Sequence, residues 1–119
     1  MENKNIAEKI KKECMTLLCN KTIFNNCSVD FLDKYRSLYS NKQVLAIVTN
    51  DELISTAQLF LKNNLNITLA SKIGYMHRNT LIYRIDKIKR LIGLDIRNFE
   101  EAVVFENLVI FYDMLRKHN

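Results

Sequence analysis

Two neighbouring side chains in the second half of the chain, Arg78 and Asn79, have hydrogen-bonding groups suited to the edges of base pairs. An arginine can donate two hydrogen bonds to guanine, and an asparagine can form a two-point pair with adenine. His77 comes immediately before them, and Tyr83 follows one helical turn after Asn79. These residue types at this spacing make all four residues candidates for contacts with bases.

Cationic and hydroxyl side chains around these four residues are suited to phosphate oxygens. Residues 66–97 contain seven basic and two acidic side chains and so account for the whole net charge of +5, because the remaining residues balance. A positive excess confined to one segment is typical of a surface that binds a polyanion. The candidates for phosphate contacts are Lys72, Thr80, Arg84, Lys87 and Arg90.

The element that must position these residues is a helix over residues 77–92. Its apolar residues recur at i, i+4, i+7 and i+11, which places them in one stripe along a helix. They are Leu81, Ile85, Ile88 and Ile92, and the residues on the opposite side are Asn79, Tyr83, Asp86 and Arg90. We expect Gly93 to end the helix in a left-handed conformation.

A shorter helix precedes this one, and residues 74–76 form the turn between them. Asn66 is suited to cap the shorter helix. The residues expected to face inward are Ile67, Ala70 and Ile73. Two helices joined by a tight turn form the usual unit that lays its second helix in the major groove of DNA.

The polar and basic residues also have structural interpretations. The basic excess could belong to a solvated helix face, although its coincidence with a helix-turn-helix pattern favours a polyanion partner. Arg84 could form a salt bridge with a carboxylate on a neighbouring helix. His77 could cap or pack against a helix, and Tyr83 could pack at the rim of the core.

A helix that begins with Thr49 and ends near Asn63 would complete a tri-helical unit. Thr49 and Glu52 have the spacing of a capping box, and Asn63 and Asn64 tolerate the left-handed conformation that ends a helix. Its expected inward residues are Leu53, Ile54, Ala57, Phe60 and Leu61.

The flanking segments also have helical spacing. Residues 3–20 form an amphipathic pattern, residues 21–27 are a connection, and a second helix starts at Ser28 and ends at residues 40–42. The segment at residues 43–49 is short and rich in β-branched residues, so its periodicity alone does not assign it to a helix or a strand. We favour a buried helical turn or an irregular segment there, because no other segment is available to pair with a strand.

The last helix covers residues 99–116, after a cap signal at Asn98 and Glu101. It is apolar almost all round and must therefore be buried on more than one side. Part of it should pack on the tri-helical unit, and the rest on the N-terminal helices or a second subunit.

Composition narrows the class of protein. The chain of 119 residues has 48% hydrophobic residues and no proline, which together with the spacing predicts an all-α fold. No apolar run approaches the roughly 20 residues of a membrane span, and no signal peptide is evident. We therefore expect a cytoplasmic protein that contacts no membrane.

Enzymatic and metal chemistry have little support in the sequence. His77 and His118 are the only histidines, and neither a nucleophile–base spacing nor a phosphate-cradling glycine loop is evident. Three cysteines, Cys14, Cys19 and Cys27, lack a close pair, and we expect small core thiols rather than a redox sensor. We expect no catalytic residue, no metal and no cofactor.

The run HRNTLIYRIDKIKRLIGLDI at residues 77–96, with ELISTAQLFLKNNLNIT upstream, resembles the C-terminal helix-turn-helix domain of PucR-type regulators. That family includes bacterial activators of purine catabolism and sugar-diacid use. The resemblance covers residues 51–116 and implies a transcription factor whose second helix of the pair reads DNA. The residues that match the family motif are His77, Arg78, Asn79, Thr80, Tyr83 and Arg84.

Two departures from the family pattern affect the expectations. Gly74 stands where the family usually has a larger apolar residue, and we expect Ile73 to fill that space. Family members also carry a large sensory region upstream, whereas about 50 residues precede the domain here, and none of them resembles a ligand-binding module.

The expected protein is an all-α homodimer that binds double-stranded DNA. Residues 1–48 would form an N-terminal helical segment for dimerisation or partner docking, and residues 49–119 the DNA-binding domain. The alternative is a protein-interaction module whose basic helix face binds an acidic protein. The sequence does not identify an effector.

Overall fold

The computed structural model describes residues 2–18 and 36–117, and the side chains of residues 5–13 and 36–117. Within these ranges the chain forms six α-helices and one 3-10 helix, with no strand. The elements are α1 (Glu2–Leu18), the 3-10 helix (Arg36–Ser40), α2 (Lys42–Val48), α3 (Asp51–Lys62), α4 (Ile67–Ile73), α5 (Arg78–Ile92) and α6 (Phe99–Lys117). The predicted all-α fold is confirmed. The connection predicted at residues 21–27, the start of the helix predicted from Ser28 and the side chains of the three cysteines lie outside the described residues.

Residues 43–49, which the sequence left ambiguous, belong mostly to the short helix α2. The side chain of Asn41 caps it by accepting hydrogen bonds from the backbone N–H groups of Gln43 and Val44, at 2.9 and 3.2 Å. The three β-branched residues Val44, Ile47 and Val48 are buried. Burial of this apolar face in the core, together with the asparagine cap, stabilises the helix against the β preference of these residues.

The start of α3 differs by one residue from the prediction. Asn50, rather than Thr49, is the N-cap, and its side chain accepts a hydrogen bond from the backbone N–H of Leu53 at 3.1 Å. Thr49 ends the preceding helix instead, and its hydroxyl donates to the carbonyl of Leu45 at 2.6 Å. The predicted Thr49–Glu52 capping box is therefore wrong, because α2 extends to Val48 and uses Thr49 for its own C-terminus.

Two helix ends have the left-handed residues that the sequence predicts. Asn64 follows α3 with φ 60°, and the backbone N–H of Leu65 returns to the carbonyl of Phe60 at 3.0 Å. Gly93 ends α5 with φ 76°, and its N–H bonds to the carbonyl of Lys89 at 2.8 Å. Both ends satisfy carbonyls that a terminated helix would leave unpaired.

The core is organised around α5, which packs against α1, α2, α3 and α4. All four residues of its predicted stripe, Leu81, Ile85, Ile88 and Ile92, are fully buried. The polar and charged residues of α5 are exposed or half-buried. The fully buried contacts of this helix thus lie on one face.

Helix α6 closes the other side of the core, against α1, α2 and α3. Its buried apolar residues are Ala102, Val104, Phe105, Leu108, Phe111 and Leu115. The Tyr39 hydroxyl donates to the carbonyl of Leu108 at 2.8 Å, and Lys11 lies 3.8 Å from the carboxylate of Glu101. The prediction that this helix is buried on more than one side is confirmed by these contacts within the chain.

Among the described helices, none is long and apolar enough to span a membrane alone. The pair α2 and α3 reaches the required length and composition only jointly, and it is bent by 70°.

We predict that Gly93→Ala lowers the free energy of unfolding by about 1–2 kcal/mol, because an L-residue is disfavoured in the left-handed conformation that Gly93 adopts. Chemical denaturation followed by circular dichroism measures this. Ser55→Ala, at an exposed position of α3, is the control and should change stability by less than about 0.5 kcal/mol. Equal effects of the two substitutions would contradict the assignment of Gly93 as a required cap.

Candidate nucleic-acid interface

Helix α4 carries exposed residues along one side and a single fully buried residue, Ala70, on the other. Asn66 caps it as predicted, since its side chain accepts from the backbone N–H of Leu69 at 2.9 Å. Ile67 packs partly against the core. Ile73 was predicted to face inward, but it is 54% exposed, and that prediction is wrong.

Leu59 of α3 fills the space that the sequence assigned to Ile73. A Cβ atom added to Gly74 would lie 2.3 Å from Leu59 Cδ2 and 3.1 Å from the carbonyl oxygen of Ala70. Gly74 therefore lets the leucine of the neighbouring helix approach the turn closely. A residue on another helix supplies the apolar contact, which leaves Ile73 free to point into solvent.

The turn between α4 and α5 is held by two backbone hydrogen bonds. The N–H of Met76 bonds to the carbonyl of Ser71 at 3.0 Å, and the N–H of Tyr75 bonds to the carbonyl of Lys72 at 3.3 Å. This pair of bonds closes a helix end around one left-handed residue. Here that residue is Tyr75, with φ 49° and a side chain that is 98% exposed.

The first residues of α5 are exposed and connected to the turn. His77 caps the helix, because its Nδ1 accepts from the backbone N–H of Asn79 at 3.1 Å. The capping alternative considered for His77 is thus the one observed, and its ring remains exposed. Arg78 donates through Nη1 to the hydroxyl of Thr68 on α4 at 3.0 Å, and this bond links the two helices. Nothing in the spacing of the sequence indicated Thr68 as this partner.

The outward side of α5 continues through Tyr83 and Arg90. Tyr83 is 56% exposed, and the guanidinium carbon of Arg90 lies 5.5 Å from the centre of its ring. Asp86 lies between them along the helix and accepts a hydrogen bond from Arg97 Nη2 at 2.8 Å. Beyond Asn79, this side of α5 therefore carries an aromatic ring with a cation stacked on it. The carboxylate beside them is already paired.

Arg84 has a different environment from the other candidates for phosphate contacts. Its guanidinium points to α3, where it forms an ion pair with Glu52 and donates to the hydroxyl of Thr56 at 3.0 Å. Its side chain is only 21% exposed. The salt-bridge alternative is the one observed, so Arg84 connects α5 to α3 instead of extending from the surface.

Arg97, which the sequence analysis did not single out, binds carboxylates on both sides of the turn after α5. It contacts Asp86 at 2.8 Å and Asp95 at 2.7 Å, and Lys89 lies 3.8 Å from Asp95. Partial burial opposes ionisation of Asp95, but hydrogen bonds from the side chain and backbone of Arg97 outweigh it and lower its pKa. Negative charge at this end of α5 is therefore neutralised locally.

Three other candidates keep their charge or hydroxyl near the surface. Lys72 is exposed, and Thr80 and Lys87 are half-buried. In the part of the chain that the structure describes, no carboxylate forms an ion pair with Lys72, Arg78 or Lys87. The described residues also contain no group of three or more His, Cys, Asp or Glu side chains that could hold a metal ion.

Comparison with known proteins agrees with this geometry. Residues 53–107 match the family described as the PucR C-terminal helix-turn-helix domain. The chain is 39% identical over 72 residues to the uncharacterized protein YxkF of Bacillus subtilis strain 168, an alignment that covers 60% of this chain and 24% of that protein. No solved structure matches the chain significantly.

Two further relatives have names that state a role. The carbohydrate diacid regulator of Escherichia coli K12 is 36% identical over 55 residues, which cover 46% of this chain and 14% of that protein. The proline-responsive transcriptional activator PutR of Bacillus subtilis strain 168 is 32% identical over 66 residues, which cover 51% of this chain and 16% of that protein. The chain thus spans about a quarter or less of the length of these relatives.

The matched segment contains most of α3, the whole α4–turn–α5 unit and the first half of α6, and its arrangement is the one that the resemblance implied. Residues 53–107 of this chain thus match the PucR C-terminal helix-turn-helix domain, a family of DNA-binding regulator domains that is not a known enzyme family.

Proposed function

We propose that this chain is a sequence-specific DNA-binding transcriptional regulator that places α5 in the major groove. The observation that carries the proposal is the division of α5 into two faces. One face is a fully buried stripe from Leu81 to Ile92, and the other presents Arg78, Asn79 and Tyr83 to solvent. Two relatives are named as a regulator and a transcriptional activator, which supports the same role here.

Arg78 and Asn79 are the proposed base readers. Both are exposed in the first turn of α5, and recognition helices contact base edges mainly with their N-terminal residues. The bond from Arg78 to the Thr68 hydroxyl holds the guanidinium at the surface, and guanine can replace that partner with a two-point contact.

His77 and Tyr83 are proposed as secondary base contacts. Because His77 Nδ1 accepts the capping bond, the neutral ring carries its proton on Nε2, which is then a donor. Tyr83 lies one turn beyond Asn79 on the outward side, with Arg90 stacked against its ring. That stacking holds both side chains at the surface of the helix.

Lys72, Thr80, Lys87 and Arg90 are the proposed phosphate contacts. They flank the proposed base readers on α4 and along α5. Contacts of this kind set the position of the helix and make affinity depend on salt. We leave Arg84 out of this group, because Glu52 and Thr56 bind its guanidinium.

We predict that Arg78→Ala costs about 1–3 kcal/mol of binding free energy and relaxes the preference at one base position. Lys87→Ala should weaken binding to all sequences alike and reduce the salt slope by about 1. Fluorescence anisotropy with single-base variants of a bound duplex, at several salt concentrations, measures both effects.

The control for the lost charge is Lys117→Ala, at the exposed C-terminal end of α6, which should leave affinity nearly unchanged. If Arg78→Ala and Lys87→Ala caused equal losses on every sequence, Arg78 would not be a base reader.

We predict that Arg84→Ala affects the fold more than the contact with DNA. The substitution removes the partly exposed ion pair with Glu52 and the hydrogen bond to the hydroxyl of Thr56. The free energy of unfolding should therefore fall by about 1 kcal/mol. The salt slope of DNA binding should stay at the wild-type value. A lower slope at unchanged stability would instead return Arg84 to the phosphate contacts.

We also propose that the protein acts as a homodimer, with residues 1–48 forming the N-terminal helical segment that mediates dimerisation or partner docking. A single helix-turn-helix unit reads few base pairs, and dimers place two recognition helices one DNA turn apart, about 34–36 Å. Apolar side chains on α6, Phe99 at 73% exposed and Ile110 at 37% exposed, are available for an interface.

Selection of bound sequences from a random duplex pool tests DNA reading and symmetry together. The proposal predicts two mirrored half-sites and a dimer mass by light scattering at micromolar concentration. A monomer mass with a single half-site would contradict the dimer alone. Failure to bind any duplex at low salt, together with tight binding of an acidic protein, would replace the proposal with the protein-interaction alternative.

A further inference from the structure

Tyr75 combines two features that rarely occur together in one residue. Its backbone has φ 49°, in the left-handed region that glycine adopts easily and that a side chain with a Cβ disfavours. Its side chain is 98% exposed, so its packing inside the protein does not compensate for that conformation. A disfavoured conformation without a packing reason suggests that the side chain has a use outside the fold.

Two other described helix ends that have a left-handed residue make the choice of tyrosine more informative. The left-handed residue after α3 is Asn64 and the one after α5 is Gly93, the two residue types that tolerate this conformation best. Leu65 also has a positive φ, 58°, but its side chain packs against the core. Tyr75 alone among these positive-φ residues is a large side chain extending into solvent.

Tyr75 stands at the edge of the proposed reading surface. Lys72 and Ile73 before it and His77, Arg78 and Asn79 after it are all exposed. The two backbone bonds that close the turn fix where the ring leaves the surface. Tyr75 lies three residues before the first residue of α5, whose N-terminal end the proposed function places at the base edges.

We propose that Tyr75 is a positioning residue for DNA, whose phenol O–H donates a hydrogen bond to a phosphate oxygen beside the groove that α5 enters. Tyrosine hydroxyls are among the usual donors to DNA phosphates, and such contacts set register without reading sequence. The proposal rests on the proposed function, because it assumes that α5 enters the groove. The disfavoured backbone conformation is then retained for the contact with DNA.

The test uses the full chain with three variants, Tyr75→Phe, Tyr75→Gly and the control Asn64→Gly. The phenylalanine variant removes only the hydroxyl, and the glycine variant also removes the ring and the backbone strain. Asn64→Gly relaxes a left-handed helix end that carries no proposed DNA contact. The probes are a duplex selected from the random pool and an unrelated duplex of equal length.

We expect Tyr75→Phe and Tyr75→Gly to weaken binding to both duplexes about 3–10-fold, which corresponds to one net hydrogen bond. The salt slope should not change, since no charge is lost. Tyr75→Gly should also raise the melting temperature by about 2–6 °C, so that a more stable protein binds DNA more weakly. Asn64→Gly should bind both duplexes as the wild type does.

Wild-type affinity of Tyr75→Phe would overturn the phenol contact, whatever Tyr75→Gly does. A loss confined to the selected duplex would overturn it too, since it would show base reading. If Arg78→Ala and Lys87→Ala behave as predicted while Tyr75→Phe is silent, only this inference fails. If the wild type binds neither duplex, the proposed function fails with it.

Discussion

The structure depends on the burial of one narrow apolar stripe. Leu81, Ile85, Ile88 and Ile92 are inaccessible to solvent, and α1, α2, α3 and α4 all pack against the helix that carries them. Each such side chain contributes about 1.5–3 kcal/mol when it leaves water. Because the stripe occupies one side of α5, its burial determines which residues remain outside. The same interaction that stabilises the core therefore presents Arg78, Asn79 and Tyr83 to solvent.

The distribution of charge follows from this arrangement. Basic side chains that turn toward the body are paired there, as Arg84 is with Glu52 and Arg97 with Asp86 and Asp95. Among the described residues, Lys72, Arg78 and Lys87 form no ion pair. These basic side chains thus form two groups. The structural group is paired with carboxylates of the protein, and the available group is the set of three without an ion pair. Side chains of the available group can displace counterions from the phosphates of a polyanion.

Local patterns predicted much of this fold, and long-range contacts explain most of the errors. The stripe on α5, the Asn66 cap and the Gly93 end are confirmed, since each depends on residues a few positions apart. The error at Ile73 depends on α3, whose Leu59 fills the space at Gly74. The same helix carries Glu52, which forms the ion pair that was the structural alternative for Arg84. The cap of α3 at Asn50 depends on where α2 ends, which the short segment 43–49 did not reveal. The division into residues 1–48 and 49–119, the dimer and the roles of the site residues stay predictions.

The most direct test of the account is methylation interference with dimethyl sulfate on a selected duplex. The reagent methylates guanine N7 in the major groove and adenine N3 in the minor groove, so it distinguishes the two sides of the DNA. If the outward side of α5 enters the major groove, methylated guanine N7 at the positions read by Arg78 prevents binding, and methylation of adenine N3 at adjacent base pairs does not. Interference at adenine N3 alone, or at neither position, would contradict the account.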